Sequence, residues 1–399
     1  MKCHSCGSAD LEGFYEARSI PVHSCLMVSS VEEARAFPRG DLSLAVCHGC
    51  GFVQNTEFDP GVHDYSPDYE ETQAFSPYFQ RFCTELCDRQ IEKHDLRGKT
   101  ALEIGCGKGE FLVELCERGD MRGIGIDPGY RPERTRSAAA ERLEFIQDFY
   151  SEKYAYLRAD YVCCRHTLEH IQPVREFVQL VRRAIGDRPE TTVFFELPDF
   201  ERVLEEQAFW DIYYEHCSYF TLGSLARLFR ACGFEILDLY KAYADQYLMI
   251  EMRPNGAPGS TFAAEDDLAA TLRGVARFKE AIGRRLDGLR ADVQRIRDAG
   301  EKAVLWGSGS KAVSYVTTLG LADELEYVVD INPHKHGKFL AGSGHEIVGP
   351  EFLRSYRPEH VIVMNPVYCD EIRRDLSNLG VEATVTAIGG HTSRGLPRL

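Results

Sequence analysis

Short apolar runs alternate with longer amphipathic segments from about residue 100 onward. The first four runs have the length of buried strands: TALEIG (100–105), GIGID (123–127), ADYVCC (159–164) and TVFFEL (192–197). Helix-like stretches separate them, which is typical of a parallel, doubly wound sheet. The pattern therefore predicts an α/β domain in this part of the chain.

The stretch MRPNGAPGS (252–260) is rich in Gly and Pro and predicts a linker. Behind it, residues 263–298 carry apolar side chains at helical spacing, which predicts a helix that docks through one face. A second series of strand-like runs then begins at KAVLWGSGSKA (302–312) and continues through LEYVVD (325–330) and HVIVMN (360–365). This series predicts a second α/β domain.

Composition fits a globular protein of several domains. The 399 residues exceed what one core usually holds, and 44% of them are hydrophobic and 27% charged. We expect a small module at residues 1–62, an α/β domain at 63–255, and a connecting helix with a second α/β domain at 262–399.

Charge and targeting signals narrow the choice of partners. The net charge of −16 would repel a polyanion, so we expect a small-molecule substrate and no nucleic acid. The sequence shows neither a signal peptide nor an apolar run long enough to span a bilayer, so we expect a cytoplasmic protein without membrane partners. In reducing cytosol, the fourteen cysteines favour metal ligation or burial over disulfides.

Two Cys-x-x-Cys-Gly motifs stand at residues 3–7 and 47–51. The spacing lets both thiolates of a motif face one ion, and four thiolates complete a closed tetrahedral zinc site. Such a site would stabilise a segment too small for a core of its own. The predicted ligands of this structural Zn²⁺ are Cys3, Cys6, Cys47 and Cys50. The alternative is four unrelated buried cysteines.

A glycine-rich loop, GCGKG (105–109), follows the first predicted strand of the α/β domain. Bare backbone at the carboxyl end of a parallel sheet can approach a nucleotide cofactor. The dinucleotide fingerprint needs a third glycine at position 110, where Glu110 stands. The pattern Glu-x-Gly-x-Gly-x-Gly instead resembles motif I of class I methyltransferases that use S-adenosylmethionine (SAM).

This resemblance implies a set of cofactor contacts. The acid near the strand end would help to hold the methionine part of SAM, and the glycines would let it approach. Asp127 ends the second strand, where an acid would accept both ribose hydroxyls, and Asp148 stands where the family places a residue near the adenine amine. The expected cofactor-binding residues are Glu103, Gly105, Gly107, Gly109, Asp127, Asp148 and the ligand-lining His166.

Two histidine-bearing segments follow, RHTLEHI (165–171) and FWDIYYEHCSYF (209–220). A His beside a Glu has the parts of a proton acceptor whose charged form is stabilised nearby, although neighbours in sequence need not pair. The His-x-x-Glu-His spacing at 166–170 also occurs in zinc proteases. There a helix brings both histidines onto one face, whereas this run follows a strand directly, so a catalytic metal is not expected.

Nearly the whole chain resembles the three-domain sugar C-methyltransferases, which modify keto intermediates of nucleotide-linked deoxysugars. The resemblance rests on the paired Cys-x-x-Cys motifs, motif I, the Tyr-x-Glu-His stretch at 213–216 and the C-terminal α/β domain. It implies a zinc-binding module, a class I SAM methyltransferase domain and a C-terminal Rossmann-like domain. It also implies a monomer.

The family resemblance further implies an active site. His216 would be the base, with Tyr213 and Glu215 beside the sugar. The other residues that would border the site are His170, Tyr65 and Tyr69. One departure concerns ADQY (244–247), where the sugar enzymes carry a glycine-rich turn, so the sugar or keto substrate could differ.

Two interpretations remain open for GSGSKA (307–312). With Asp330 further on, the segment fits a dinucleotide fingerprint and would suit an NAD-dependent enzyme. In the resembling family this domain instead helps to hold the nucleotide end of the substrate, without NAD. The expected substrate contacts on this interpretation are Ser308, Ser310, Lys311, Asn332 and Lys335. A C-terminal domain that binds no ligand is the third alternative.

The residue types suit methylation of a carbon next to a carbonyl. A base of near-neutral pKa can remove the adjacent proton, and the resulting enolate can attack the SAM methyl group. We therefore expect a SAM-dependent C-methyltransferase that acts on a nucleotide-linked keto sugar. The alternatives are O- or N-methylation of another small metabolite, an NAD-binding oxidoreductase, and a non-catalytic module that keeps the SAM fold.

Overall fold

The computed structural model describes residues 1–62, 69–254 and 259–389. None of the helices in these ranges is long and apolar enough to cross a membrane. The first elements in chain order are β1 (Leu11–Pro21), α1 (Val31–Arg35), β2 (Arg39–Cys47) and β3 (Val53–Asn55).

The middle of the chain supplies most of the strands. Its elements are α2 (Pro77–Lys93), β4 (Thr100–Ile104), α3 (Glu110–Gly119), β5 (Arg122–Ile126), β6 (Leu143–Ile146), β7 (Tyr161–Arg165), α4 (Val174–Ile185), β8 (Thr192–Pro198), α5 (Phe200–Glu206), β9 (Ser218–Tyr219), α6 (Leu222–Ala231), β10 (Glu235–Ala242) and β11 (Tyr247–Arg253).

The last part of the chain begins with a long helix. Its elements are α7 (Leu268–Asp298), β12 (Ala303–Trp306), α8 (Ser310–Leu319), β13 (Tyr327–Val329), β14 (Glu346–Val348), α9 (Leu353–Tyr356), β15 (His360–Val363), α10 (Cys369–Leu379) and β16 (Thr384–Ala387).

Seven strands form the central sheet in the order β10-β11-β8-β7-β4-β5-β6. The pairs from β8 to β6 are parallel, and β11 runs antiparallel to both of its neighbours. The predicted doubly wound α/β domain is therefore confirmed. The chain leaves β4 toward β5 on one side and reaches β7 on the other, which opens a crevice at the carboxyl ends of these strands.

Five parallel strands form the C-terminal sheet in the order β14-β13-β12-β15-β16, which confirms the second predicted α/β domain. Its crevice lies between the carboxyl ends of β12 and β15.

The N-terminal sheet is antiparallel and has the order β1-β2-β3-β9. Its last strand comes from far along the chain, because Val53 of β3 pairs with Tyr219 of β9. The sheet of residues 1–62 thus takes in the strand that directly follows the Tyr-x-Glu-His stretch. The domain limits at 62, 255 and 262 stay a prediction.

Helix α7 docks through one apolar face, as its spacing predicts. Val275, Phe278 and Ile282 are buried in a core shared with the N-terminal and C-terminal sheets. The Phe278 ring lies 6.0 Å from that of Phe14 and 5.6 Å from that of Tyr15, both on β1. The helix therefore fastens the N-terminal sheet to the rest of the molecule.

Candidate active site

The glycine loop between β4 and α3 has a backbone conformation and surroundings that disfavour any residue with a Cβ atom. Gly105, Gly107 and Gly109 have φ of 73°, 53° and 83°, in the left-handed region. A Cβ on Gly105 would overlap the Thr167 side chain, and one on Gly109 would lie 2.6 Å from the Phe145 ring. The loop therefore presents bare backbone to the cavity at the end of β4, which suits close approach of a nucleoside cofactor.

Two acids flank this loop. Asp127, just after β5, accepts hydrogen bonds from the backbone N–H groups of Gly107 (2.9 Å) and Gly129 (2.7 Å), and lines the cavity. Glu103 is buried under the loop, and burial raises the pKa of its carboxyl to about 8, with nearby Asp127 adding to the rise. Its Oε2 makes no hydrogen bond to any residue that the structure describes. An ammonium group of the cofactor would suit that oxygen.

Asp148 lies at the same cavity, in the loop that follows β6. It forms an ion pair with Lys153 and accepts a hydrogen bond from the Tyr154 hydroxyl. These two contacts lower the pKa of the Asp148 carboxyl to about 2. The carboxylate is therefore charged at neutral pH.

One cavity of about 740 Å³ joins the two crevices. The glycine loop lines one end, and Ser310, Lys311 and Lys335 of the C-terminal domain line another part of the same space. This volume suits a nucleoside cofactor together with a second ligand of similar size.

The Tyr-x-Glu-His stretch places two of its side chains at this cavity. Tyr213 and His216 line it, as does His170, and their rings pack closely. The His216 centroid lies 4.1 Å from that of Tyr213 and 4.7 Å from that of His170. Burial lowers the pKa of the His216 imidazole well below its usual value, and the neighbouring His170 lowers it further. The ring is therefore neutral at pH 7 and able to accept a proton.

Glu215 points away from the cavity. Its Oε2 lies 3.1 Å from His23 Nδ1 and accepts a hydrogen bond from the Tyr69 hydroxyl at 3.0 Å. Its Oε1 accepts from the backbone N–H of Ser24 at 3.2 Å. The carboxylate thus joins the segment after β1 and Tyr69 to the turn that carries His216. Glu215 is therefore not among the residues that line the cavity, and its expected position beside the sugar stays a prediction.

The sequence predicts two tyrosines near the site, Tyr65 and Tyr69. Tyr69 lines the cavity while its hydroxyl donates to Glu215. Tyr65 lies outside the described residues.

His166 begins the segment after β7 with φ of 46° and lines the cavity. Its Nε2 lies 2.9 Å from Glu196 Oε1, and its Nδ1 lies 3.5 Å from Glu169 Oε1. Burial alone would lower the pKa of His166, but hydrogen bonds to Glu169 and Glu196 raise it to about 9. The ring is therefore a cation at neutral pH, held between two carboxylates.

In the C-terminal domain, Ser308 is fully buried and does not line the cavity, unlike the expected substrate contact. Its backbone N–H and hydroxyl both donate to Asp330 Oδ2, at 2.9 and 2.6 Å. Asp330 Oδ1 accepts from the backbone N–H of Asn332 at 2.8 Å. Both oxygens of the acid of the dinucleotide fingerprint therefore accept hydrogen bonds from its own domain, and Asp330 also lines the cavity.

The other expected substrate contacts lie at the cavity. Ser310 begins α8 and accepts a hydrogen bond from Ser24 at 2.8 Å, while Lys311 pairs with Asp211. Lys335 Nζ lies 3.5 Å from Asp330 Oδ2, and Asn332 donates to Glu70 Oε1 at 2.9 Å. Each of the two ammonium groups is thus paired with a carboxylate of the cavity lining, and together with the N-terminus of α8 they can donate further hydrogen bonds to an anionic ligand.

Several cavity residues were missed from the sequence. Glu169 lines the cavity and lies in the RHTLEHI segment, between the predicted site residues His166 and His170. Gln246 and Asn365 pair through both amides at 3.0 Å across the two α/β domains. The histidines on either side of Glu169 are a sequence signal that could have identified it. The Gln246–Asn365 pair joins residues 119 positions apart and therefore leaves no local pattern.

The four cysteines of the two N-terminal motifs come together. Their sulfur atoms lie within 4.8 Å of one another, with Cys3–Cys50 at 3.7 Å and Cys6–Cys47 at 3.6 Å. Zinc–sulfur bonds of about 2.3 Å in a tetrahedron require sulfur separations of about 3.8 Å. The cluster therefore has the donors and the spacing that a Zn²⁺ ion needs.

Comparison with known proteins assigns the two α/β domains. A methyltransferase domain matches residues 75–239, and a C-methyltransferase C-terminal domain matches residues 257–385. The C-methyltransferase NovU of Streptomyces niveus is 24% identical over 389 residues, which cover 93% of this chain and 91% of that protein.

Other matches cover a smaller share of this chain. The ribosomal protein L11 methyltransferase of Yersinia pestis is 32% identical over 104 residues, 25% of this chain and 34% of that protein. The crystal structure of N,N-8-amino-8-demethyl-D-riboflavin dimethyltransferase from Streptomyces davawensis is 20% identical, with a TM-score of 0.34 over 44% of this chain and 54% of that one.

The paired domains and the full-length relative agree with the glycine loop and its two acids. The chain is a SAM-dependent C-methyltransferase that combines a methyltransferase domain with a C-methyltransferase C-terminal domain.

Proposed function

We propose that the enzyme methylates a carbon next to a carbonyl in a sugar linked to a nucleoside diphosphate. The observation that carries this proposal is the shared cavity, in which the glycine loop, His216 and the cationic start of α8 face one space. A small neutral acceptor would not need the ammonium groups of Lys311 and Lys335 at that cavity. A diphosphate group would match them.

The proposed binding mode follows the charges. The Glu103 carboxyl, Asp127 and the glycine loop would hold SAM, with Asp148 and His166 at the edge of its site. The backbone N–H groups at the start of α8, with Lys311 and Lys335, would hold the diphosphate. The sugar would then lie between them, against Tyr213, His170 and His216.

The proposed reaction begins with proton removal. Neutral His216 takes the proton from the carbon next to the carbonyl, and the electron pair of that C–H bond forms an enolate. Tyr213 or His170 can donate a hydrogen bond to the enolate oxygen. SAM supplies the electrophilic methyl group. The products are the C-methylated keto sugar, S-adenosylhomocysteine and a proton on His216.

The proposal extends to the metal and the domain limits. The four N-terminal cysteines would bind a structural Zn²⁺, since their geometry is closed and leaves no position for substrate. Residues 1–62, 63–255 and 262–399 would be the zinc module, the SAM domain and the substrate-holding domain. A monomer would hold both ligands, because described residues of one chain line the cavity from the glycine loop to the start of α8.

The test is calorimetric titration with S-adenosylhomocysteine, NAD and a panel of nucleoside diphosphates. We expect binding of S-adenosylhomocysteine and of one nucleoside diphosphate. Lys335→Gln should weaken the nucleoside diphosphate about tenfold or more, since it removes a charge-assisted contact, and should leave S-adenosylhomocysteine unaffected. The control Lys338→Gln, three residues along and outside the cavity lining, should change neither affinity.

The second part of the test identifies the atom that is methylated. Incubation with ¹³C-methyl SAM and keto sugars linked to the selected nucleotide should give a ¹³C methyl signal at the chemical shift of a methyl group attached to carbon. Binding of NAD, binding of no nucleoside diphosphate, or a methyl group on oxygen or nitrogen would contradict the proposal.

A further inference from the structure

The neutral His216 needs a nearby anion once it has taken a proton. An imidazolium buried without a counter-charge is costly, and a base that cannot be stabilised in its charged form is weak. Glu215 adjoins it in sequence, but that carboxylate is 1% exposed and occupied by His23, Ser24 and Tyr69.

A second carboxylate lies on the cavity side of the histidines. One oxygen of Glu169 and one ring nitrogen each of His170 and His216 lie within 4.8 Å of one another. Glu169 is 2% exposed and lines the cavity, and its Oε2 makes no hydrogen bond to any described residue. A buried carboxylate oxygen without a donor is costly, so this oxygen is poised to receive one.

The position of Glu169 is fixed from both sides. Its backbone carbonyl accepts from the backbone N–H of Cys217 at 2.9 Å, which ties it to the turn that carries His216. Its Oε1 lies 3.5 Å from Nδ1 of the cationic His166. The first contact holds the backbone of Glu169 beside the catalytic turn, and the second holds its carboxylate beside His166.

The charges along this row alternate. Arg165 pairs with Glu196 at 2.7 and 3.0 Å, Glu196 contacts His166 at 2.9 Å, and His166 contacts Glu169. The row of two cations and two anions is balanced while His216 is neutral. The next place in the row, beyond Glu169, is one at which a cation is favourable.

We infer that Glu169, and not Glu215, is the carboxylate that stabilises the protonated form of His216. Glu169 is a positioning residue in this role, because it acts on the substrate only through His216. The inference rests on the proposed function, since it requires His216 to be the base.

The cationic groups around His216 disfavour its protonation. Lys311 approaches from α8, and His166 and His170 approach from the segment after β7. Among the described residues, the titratable groups that contact His216 or act on its charge are His166, Glu169, His170, Tyr213, Tyr219 and Lys311. Glu169 is the anion in this set, so its removal should lower the basicity of His216.

The experiment measures the pH dependence of turnover with the nucleotide-linked keto sugar that the calorimetric panel selects. Glu169→Gln should lower kcat about 100-fold with little change in KM, and should move the acid limb of the kcat profile to lower pH. Glu169→Asp keeps the charge and should restore part of kcat with the original acid limb. Glu215→Gln should lower the melting temperature without moving that limb.

The outcomes separate this inference from the proposed function. If His216→Asn turns over normally, the base mechanism itself fails. If His216→Asn is inactive while Glu169→Gln keeps the wild-type kcat and acid limb, only the role of Glu169 is overturned. If Glu169→Gln does not fold, a Glu169→Asp variant without activity or with a shifted limb contradicts the inference. A second metal equivalent that Glu169→Gln loses would make Glu169 a metal ligand and also overturn it.

Discussion

At the scale of single residues, His216 decides whether the enzyme can generate a nucleophilic carbon. Asparagine keeps a hydrogen-bonding side chain of similar size but cannot accept the proton. We expect His216→Asn to lower kcat about 10²- to 10⁴-fold, the usual contribution of a general base. The affinity for S-adenosylhomocysteine should stay unchanged, because the glycine loop lies on another segment. Turnover assays and calorimetry check the two expectations.

The matched control is His345→Asn. His345 is a buried histidine that contacts Ser343 and does not line the cavity. It should keep its turnover. A His216→Asn variant as active as this control would remove His216 from the mechanism.

His166 predicts a pH dependence of stability. Its folded pKa of about 9 lies above the unfolded value of about 6.5, so protonation stabilises the fold. That stabilisation is full below about pH 6.5 and is lost as the pH rises through about 9. Glu103 contributes a dependence of the same sign. Burial raises the pKa of its carboxyl in the folded state to about 8, so the protonated form stabilises the fold, and this stabilisation is lost as the pH rises through about 8.

A substitution separates the contribution of His166 to this pH dependence from that of the carboxyl groups. His166→Asn keeps a residue that tolerates positive φ. The melting temperature of the wild type should exceed that of the variant most near pH 6, and the difference should shrink toward pH 9.5. Differential scanning calorimetry across this range is the measurement, and a difference that grows with pH would contradict it.

At the scale of elements, the turn between β10 and β11 explains a departure seen in the sequence. Tyr243, Ala244 and Asp245 have φ of 54°, 54° and 60°, so three consecutive side-chain-bearing residues adopt the left-handed conformation. Each such residue costs roughly 1 kcal/mol relative to glycine. The turn is held by contacts to the C-terminal domain, where Gln246 pairs with Asn365.

Glycine at the exposed position 244 should relieve part of this strain. We expect Ala244→Gly to raise the free energy of unfolding by about 1 kcal/mol, since no buried side chain is lost. The same change at exposed Ala291, inside α7, should lower it by about 1 kcal/mol, because glycine disfavours a helix. Denaturant unfolding of both variants checks the opposite signs, and a loss of stability at position 244 would contradict the account.

At the scale of the whole molecule, local sequence patterns predict the strands of the sheets better than they predict which side chains contact each other. The apolar runs that end near residues 105, 127, 164 and 197 became β4, β5, β7 and β8, because strands of a buried parallel sheet are continuous apolar segments. The neighbour of a side chain in space depends on where distant segments fold. Glu215 therefore turned to His23 rather than to His216, and β9 joined the sheet of the N-terminal module.

That distant pairing links the predicted zinc site to the chemistry. β3 lies between β2, which ends at Cys47, and β9, which begins two residues after His216. The Asn55 backbone N–H also donates to the Cys217 carbonyl at 2.9 Å. Disordering the cysteine cluster should therefore displace His216 while leaving the glycine loop, which lies in another sheet, in place.

We therefore expect Cys47→Ser, or metal removal by a strong chelator, to lower both the melting temperature and kcat. The loss of stability should be on the order of 5 kcal/mol, because zinc binding contributes directly to folding. The affinity for S-adenosylhomocysteine should fall much less than kcat, since the two sites belong to different sheets. The control Cys232→Ser changes a cysteine outside the cluster and should keep both its metal content and its turnover. If Cys47→Ser retains wild-type stability and turnover, or if wild-type protein holds no zinc, the link between the N-terminal module and the catalytic turn does not exist.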